Sequence, residues 1–173
     1  MLYGLHRMSR KQPDERTRPQ IGDLVEVETL RGLAYAQYTF NHSTPPRYGE
    51  LVRVLPGLFD ARPSDLGPLV RGPQQFWTFF PLGPACAHRI VRIVANEEVP
   101  EHARGIPLMR AAGGITRDGR VLNWWLWDGE REWPVGELSE DQRGLSVHGV
   151  VDYTMLVSLI LKGGWSGSAD SAI

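Results

Sequence analysis

The residues of this chain that could do chemistry are few and scattered. Cys86 is the only cysteine, and it lies in Gly83-Pro84-Ala85-Cys86-Ala87-His88. A thiol with a histidine two residues on invites a Cys/His nucleophile reading. Activation, however, needs the base within hydrogen-bond reach of the sulfur, and spacing along a strand or loop does not supply that. The simpler reading of Cys86 is a buried small hydrophobe. One cysteine excludes an internal disulfide, and a four-ligand structural zinc site would have to be built from histidines. The five histidines, His6, His42, His88, His102 and His148, show no metal-ligand spacing, and each reads as a surface or hydrogen-bonded ring. Gly164-Trp165-Ser166-Gly167-Ser168 lacks the glycine two residues past the serine that shapes a nucleophile elbow. No phosphate-cradling, dinucleotide-binding or His-Glu-x-x-His pattern occurs. No catalytic residue, metal ligand or cofactor is assigned.

The stretch that stands out is Trp124-Trp125-Leu126-Trp127-Asp128-Gly129-Glu130-Arg131-Glu132-Trp133, which holds four of the six tryptophans. An Asp-Gly pair between large residues is a strong hairpin signal. Alternation puts Asn123, Trp125 and Trp127 on one face and Trp124 and Leu126 on the other. A tryptophan buries about 150–250 Å² and commonly anchors a small β core, so Trp77, Trp124, Trp125 and Trp127 are taken as structural. Between Asp128 and Asp141 there are six acidic residues and one basic residue, Arg131. Asp128, Glu130, Glu132, Trp133 and Glu137 therefore form a candidate contact surface for a basic protein partner, with charge steering encounter and an aromatic supplying affinity. A solvated turn followed by the acid-rich start of a helix explains the same charges without a partner.

The elements that must position these residues are mostly strands. Residues 21–28 alternate Val and Glu, Leu30-Arg31-Gly32 supplies a tight turn, and 33–40 return, rich in β-formers. Pro45-Pro46 interrupts before a third strand, 48–55. Residues 56–73 are irregular, with Ser64 placed to cap a single turn. Strands are expected at 75–80, 89–94, 120–127 and 131–135, with 99–114 as loop. Ser139-Glu140-Asp141-Gln142 resembles a helix start, and Asp152 can cap a short apolar helix, or a strand, over 153–161. The expected class is mainly β (β-rich α+β): a compact antiparallel sheet or small SH3-like barrel with one or two short C-terminal helices.

The chain has 173 residues, a size for one domain. Residues 1–20 read as a flexible lead-in, 21–163 as a single β-rich domain and 164–173 as a flexible tail. Net charge is −1, so no global field draws the chain to nucleic acid or an anionic membrane. The seventeen arginines against two lysines are scattered singly. No window is apolar for long enough to cross a bilayer and no secretory signal opens the chain, so the expected location is cytoplasmic.

Ile21-Gly22-Asp23-Leu24-Val25-Glu26-Val27, then Gly32-Leu33-Ala34-Tyr35-Ala36-Gln37-Tyr38 and Tyr48-Gly49-Glu50-Leu51-Val52-Arg53-Val54, resemble the start of the immunity protein 26 family of bacterial polymorphic toxin systems. That resemblance implies a non-enzymatic protein that binds and neutralises a cognate toxin domain. The same Gly-Asp strand and glycine turn resemble the first hairpin of small SH3-like toxin barrels that cut RNA. The alternative is thus an RNA-binding or RNA-cleaving domain with a positive groove along Arg31, Arg47, Arg53 or Arg89. A second alternative is a small-ligand sensor with an aromatic pocket around Trp77 and Trp125.

Overall fold

A computed structural model describes residues 16–168 and residue 171. Among these described residues, eight strands form two antiparallel sheets, with four short helices around them. The first sheet has the order β4-β3-β2-β1-β5, built from β1 (Asp23–Thr29), β2 (Gly32–His42), β3 (Gly49–Val54), β4 (Phe76–Phe79) and β5 (Arg92–Asn96). The second has β6 (Met109–Ala112), β7 (Trp124–Trp127) and β8 (Glu132–Gly136) in sequence order. The expected meander of the first three strands is present, and β7–β8 is the tryptophan hairpin.

The Gly-Asp opening has a structural cause. Gly22 has φ +95°, and a Cβ there would meet the Glu97 carbonyl at 2.7 Å, so only glycine fits. Asp23 is enclosed and accepts from the Gln20 backbone N–H (2.7 Å), Arg16 (2.9 Å) and the Asn96 amide (2.8 Å). The β1–β2 hairpin turns on Gly32 at φ +126°, packed against the Phe59 carbonyl.

Both faces of the larger sheet are covered. Val25, Val27, Ala36, Val52 and Val54 pack against α4 (Tyr153–Lys162) through Leu156, Leu159 and Ile160. On the other face, Leu24, Tyr35 and Leu55 meet Leu66 and Val70 at α1 (Gly67–Arg71). This changes the reading of the Val/Glu alternation in β1. Glu26 does not face water: it is buried, held by Arg62 at 2.7 and 2.9 Å and by the Tyr35 hydroxyl at 3.0 Å. The Arg62 hydrogen bonds keep its carboxyl below the usual range.

Several boundaries differ from those the sequence implies. Residues 82–87 form α2 (Leu82–Ala87), with Pro84 in its first turn, where proline is tolerated; Leu82, Ala85 and Cys86 face the core at helical spacing. The fifth strand accordingly starts at Arg92, after Arg89 turns the chain with φ 56°. Strand β6 falls inside the stretch read as loop. The one turn near residue 65 becomes α1, where Asp65 rather than Ser64 accepts from a helix-start N–H. In the last third, α3 (Glu140–Arg143) has Ser139 and Gln142 in a capping box, and the Asp152 carboxylate caps α4 by accepting from Met155 N at 2.8 Å. That segment is helix, not strand.

The sheets do not close into a barrel. The free edge of β4 is taken instead by residues 146–151, which run between the two sheets as a seam. Phe79 N donates to Gly149 O (3.3 Å) and Val151 N to Phe79 O (2.9 Å); on the other side Arg110 N donates to Ser146 O (3.0 Å) and His148 N to Arg110 O (2.8 Å). Among the described residues no helix is long and apolar enough to cross a membrane.

Candidate functional site

The seam decides where the polar chemistry gathers. In extended chain successive side chains point to opposite faces. Val147 packs with Trp124 and Leu138. His148 joins Trp127 on the other side, stacked at 4.1 Å between centroids with an interplanar angle of 17°. Tyr48 meets His148 edge-on at 4.4 Å and Trp127 at 5.5 Å. His42, from the end of β2, lies 5.1 Å from Tyr48 and 5.5 Å from Trp127.

His148 differs from the surface or hydrogen-bonded ring the sequence implies, whereas His42 is hydrogen-bonded as expected, though enclosed. His42 is buried: Nε2 lies 3.3 Å from the Gly129 carbonyl, and Nδ1 has no partner. His148 makes no ring hydrogen bond among the described residues, and its Nε2 is enclosed without one. Burial, and then the charge His42 can carry, push His148 down to about 4. At neutral pH it is an uncharged aromatic ring. His88 is exposed, His102 approaches the Gly72 carbonyl at 3.2 Å, and His6 lies outside the described residues.

Two clefts border this cluster. One, of about 440 Å³, runs between the end of β2 and the hairpin turn and is lined by His42, Thr44, Asp128 and Glu130. The other, of about 600 Å³, is lined by Tyr48, Glu132, His148, Asp152, Met155 and Trp165. The C-terminal segment forms part of its wall. Trp165 Nε1 donates to the Trp77 carbonyl at 3.0 Å. The enclosed Arg110 guanidinium donates to the carbonyls of Leu145, Ser166 and Ser168 and lies 4.8 Å from the Trp124 ring.

The hairpin residues divide into distinct roles. Trp124, Trp127 and Trp77 are buried, and so is Leu126; Trp125, expected in the core with them, is only half-buried. The strand is therefore sandwiched on both faces over most of its length. Asp128 builds the turn: its carboxylate accepts from Arg131 N (2.8 Å) and Glu130 N (3.0 Å), and these bonds hold it below the usual carboxylate range. Glu130, Glu132 and Glu137 are exposed and make no side-chain hydrogen bond or ion pair among the described residues. Glu132 is registered opposite Trp127, so it stands on the face of the histidine cluster. Its charge and, above all, burial raise the Tyr48 hydroxyl. Trp133 is 37% exposed on the outer strand.

Cys86 is buried with its thiol pushed up to about 11, chiefly by burial, so it is not a thiolate at neutral pH. Among the described residues no three His, Cys, Asp or Glu side chains gather as a metal cluster. No protein-family model, curated protein or solved structure matches the chain.

Sequence reasoning singled out the hairpin and missed Tyr48, His42, His148 and Trp165. The order in which strands and seam assemble brings these together, and no local spacing encodes it.

Proposed function

We propose that this is a non-enzymatic protein-recognition domain whose contact surface is the β7–β8 hairpin. One observation carries the reading. Glu132 on the outer strand, Glu130 in the turn before it and Glu137 just past its end stand unpaired near Trp133, the hairpin indole most exposed, while Trp124 and Trp127 are used up in packing. Unpaired exposed carboxylates steer a basic partner, and a partly exposed indole is a common anchor at the centre of a contact. Pro134 within β8 removes a ladder donor, which disfavours strand-to-strand addition and favours contact through side chains. The likeness of residues 21–55 to the immunity protein 26 family gives the partner a class: a bacterial toxin domain that the chain neutralises by covering it.

The RNA reading is less well served. Arg53 is fully enclosed, with its guanidinium spent on Gln37 and the carbonyls of Val70 and Gly72. Arg31 and Arg47 flank opposite ends of β2, so these arginines line no single groove.

The test is charge reversal away from the clefts' other residues. A partner isolated with the wild-type chain from its native host is titrated against purified Glu130→Lys/Glu137→Lys and Trp133→Ala. Each variant should fold normally and bind at least about tenfold more weakly, the loss expected from about 1.4 kcal/mol. A partner that binds both variants as it binds wild type refutes the hairpin assignment.

A further inference from the structure

The larger cleft has an aromatic and acidic lining. Tyr48, His148 and Trp165 line it, together with Glu132 and Asp152. No lysine or arginine lines it, in a chain that carries seventeen arginines. Asp152 spends one oxygen capping α4; the Glu132 side chain makes no bond among the described residues. His148, held uncharged at neutral pH, adds an aromatic edge and no repulsion. A volume of about 600 Å³ lies within the range of sites that enclose a ligand group. Aromatic faces opposed to a free carboxylate hold a cation by its attraction to the rings and by an ion pair at once.

We propose that this cleft is the socket for an arginine side chain presented by the partner protein. A planar guanidinium can stack on the ring of Trp165 or Tyr48 while it forks onto the Glu132 carboxylate, a combination that an ammonium makes less well. The inference rests on the protein-recognition reading above and names the group that reading leaves open. Glu132 belongs to the hairpin and to the cleft, so the socket and the acidic strip are continuous.

The isolated protein tests this without any partner. It is titrated with Nα-acetyl-arginine methylamide and with the norleucine counterpart, an uncharged chain of similar reach. The indole N–H signals of Trp165 and Trp127 and the ring protons of His148 are followed by NMR. The arginine compound should give saturable shifts on the order of a millimolar dissociation constant, as one desolvated side chain warrants. Binding should weaken about tenfold in Glu132→Gln, fall with added salt and be absent for norleucine. Shifts absent throughout, equal for both compounds, or unchanged in Glu132→Gln overturn the proposal. Such a failure leaves the hairpin reading intact, because Glu130, Glu137 and Trp133 take no part in the titration. Conversely, a partner indifferent both to Glu130→Lys/Glu137→Lys and to Trp133→Ala sinks the hairpin reading, while saturable, Glu132-dependent arginine binding in the cleft would stand.

Discussion

Lowering the pH loads a proton onto His148 in the unfolded chain well before the folded protein accepts it. The folded ring sits at about 4 against the ordinary 6.5 because it is packed on Trp127 and Tyr48, beside His42, with Nε2 unbonded. A depressed folded value means that the contribution is fully present above pH 6.5 and is lost as pH falls toward 4. Each tenfold difference in proton affinity is about 1.4 kcal/mol, so the loss has a ceiling of about 3 kcal/mol and reaches about 2 between pH 7.5 and 5. The ring borders the cleft, and solvent there relaxes the cost, leaving about 1–2 kcal/mol at pH 5. His148→Phe keeps an aromatic ring on Trp127 and removes the titration, and it strands no partner because the wild-type ring nitrogens are unbonded. Urea unfolding of both proteins at pH 7.5, 6 and 5 isolates this ring from every other titrating group. The variant should gain about 1–2 kcal/mol on wild type across that range, with no change in denaturant slope. Parallel pH profiles, or an NMR titration of His148 near 6.5, would refute the packing argument.

Two further outcomes follow from single contacts. Asp152→Ala removes the carboxylate that accepts from Met155 N and should cost about 1 kcal/mol of stability, measured by thermal or urea unfolding, with little change in the β-sheet signal. Arg110→Met leaves the carbonyls of Leu145, Ser166 and Ser168 without their donor. Leu145 and Ser166 are half-buried and Ser168 is exposed, so water replaces part of what is lost and a cost of about 1–3 kcal/mol in all is expected. Limited proteolysis should then cut near residues 165–168, which the wild type protects; equal protection in the variant would show that Trp165 alone holds this segment.

Much of the architecture is local enough to be read from residue order. The Val/Glu alternation of residues 24–28, the glycine turn at Gly32 and the Asp-Gly turn at Asp128 each fix a strand or hairpin through neighbours in sequence. The Ser139 box and the Asp152 cap mark helix starts for the same reason. Helix α2 was not legible, because its Pro81 and Pro84 read as breaks although both stand at the helix start, where proline is allowed. Strand β6 is four residues long and owes its existence to β7 on one side and the seam on the other, so no pattern of its own announces it. Glu26 and Arg53 look like surface charges in sequence. They are enclosed because both faces of the sheet are covered, and each is made tolerable by partners 9 to 36 positions away.

By itself the sequence determined the β-rich class, the tryptophan hairpin and the excess of acids along it. These depend on residue type and on spacings of a few positions. Tertiary structure alone decided that residues 146–151 run between the two sheets. That placement brings His148 onto Trp127, sets Tyr48 against it and lets Trp165 close the cleft beside Glu132. Tyr48, the tryptophan hairpin, His148 and Trp165 lie well apart in sequence, and backbone pairing across two sheet edges, which carries no short-range signal, is the physical reason they meet.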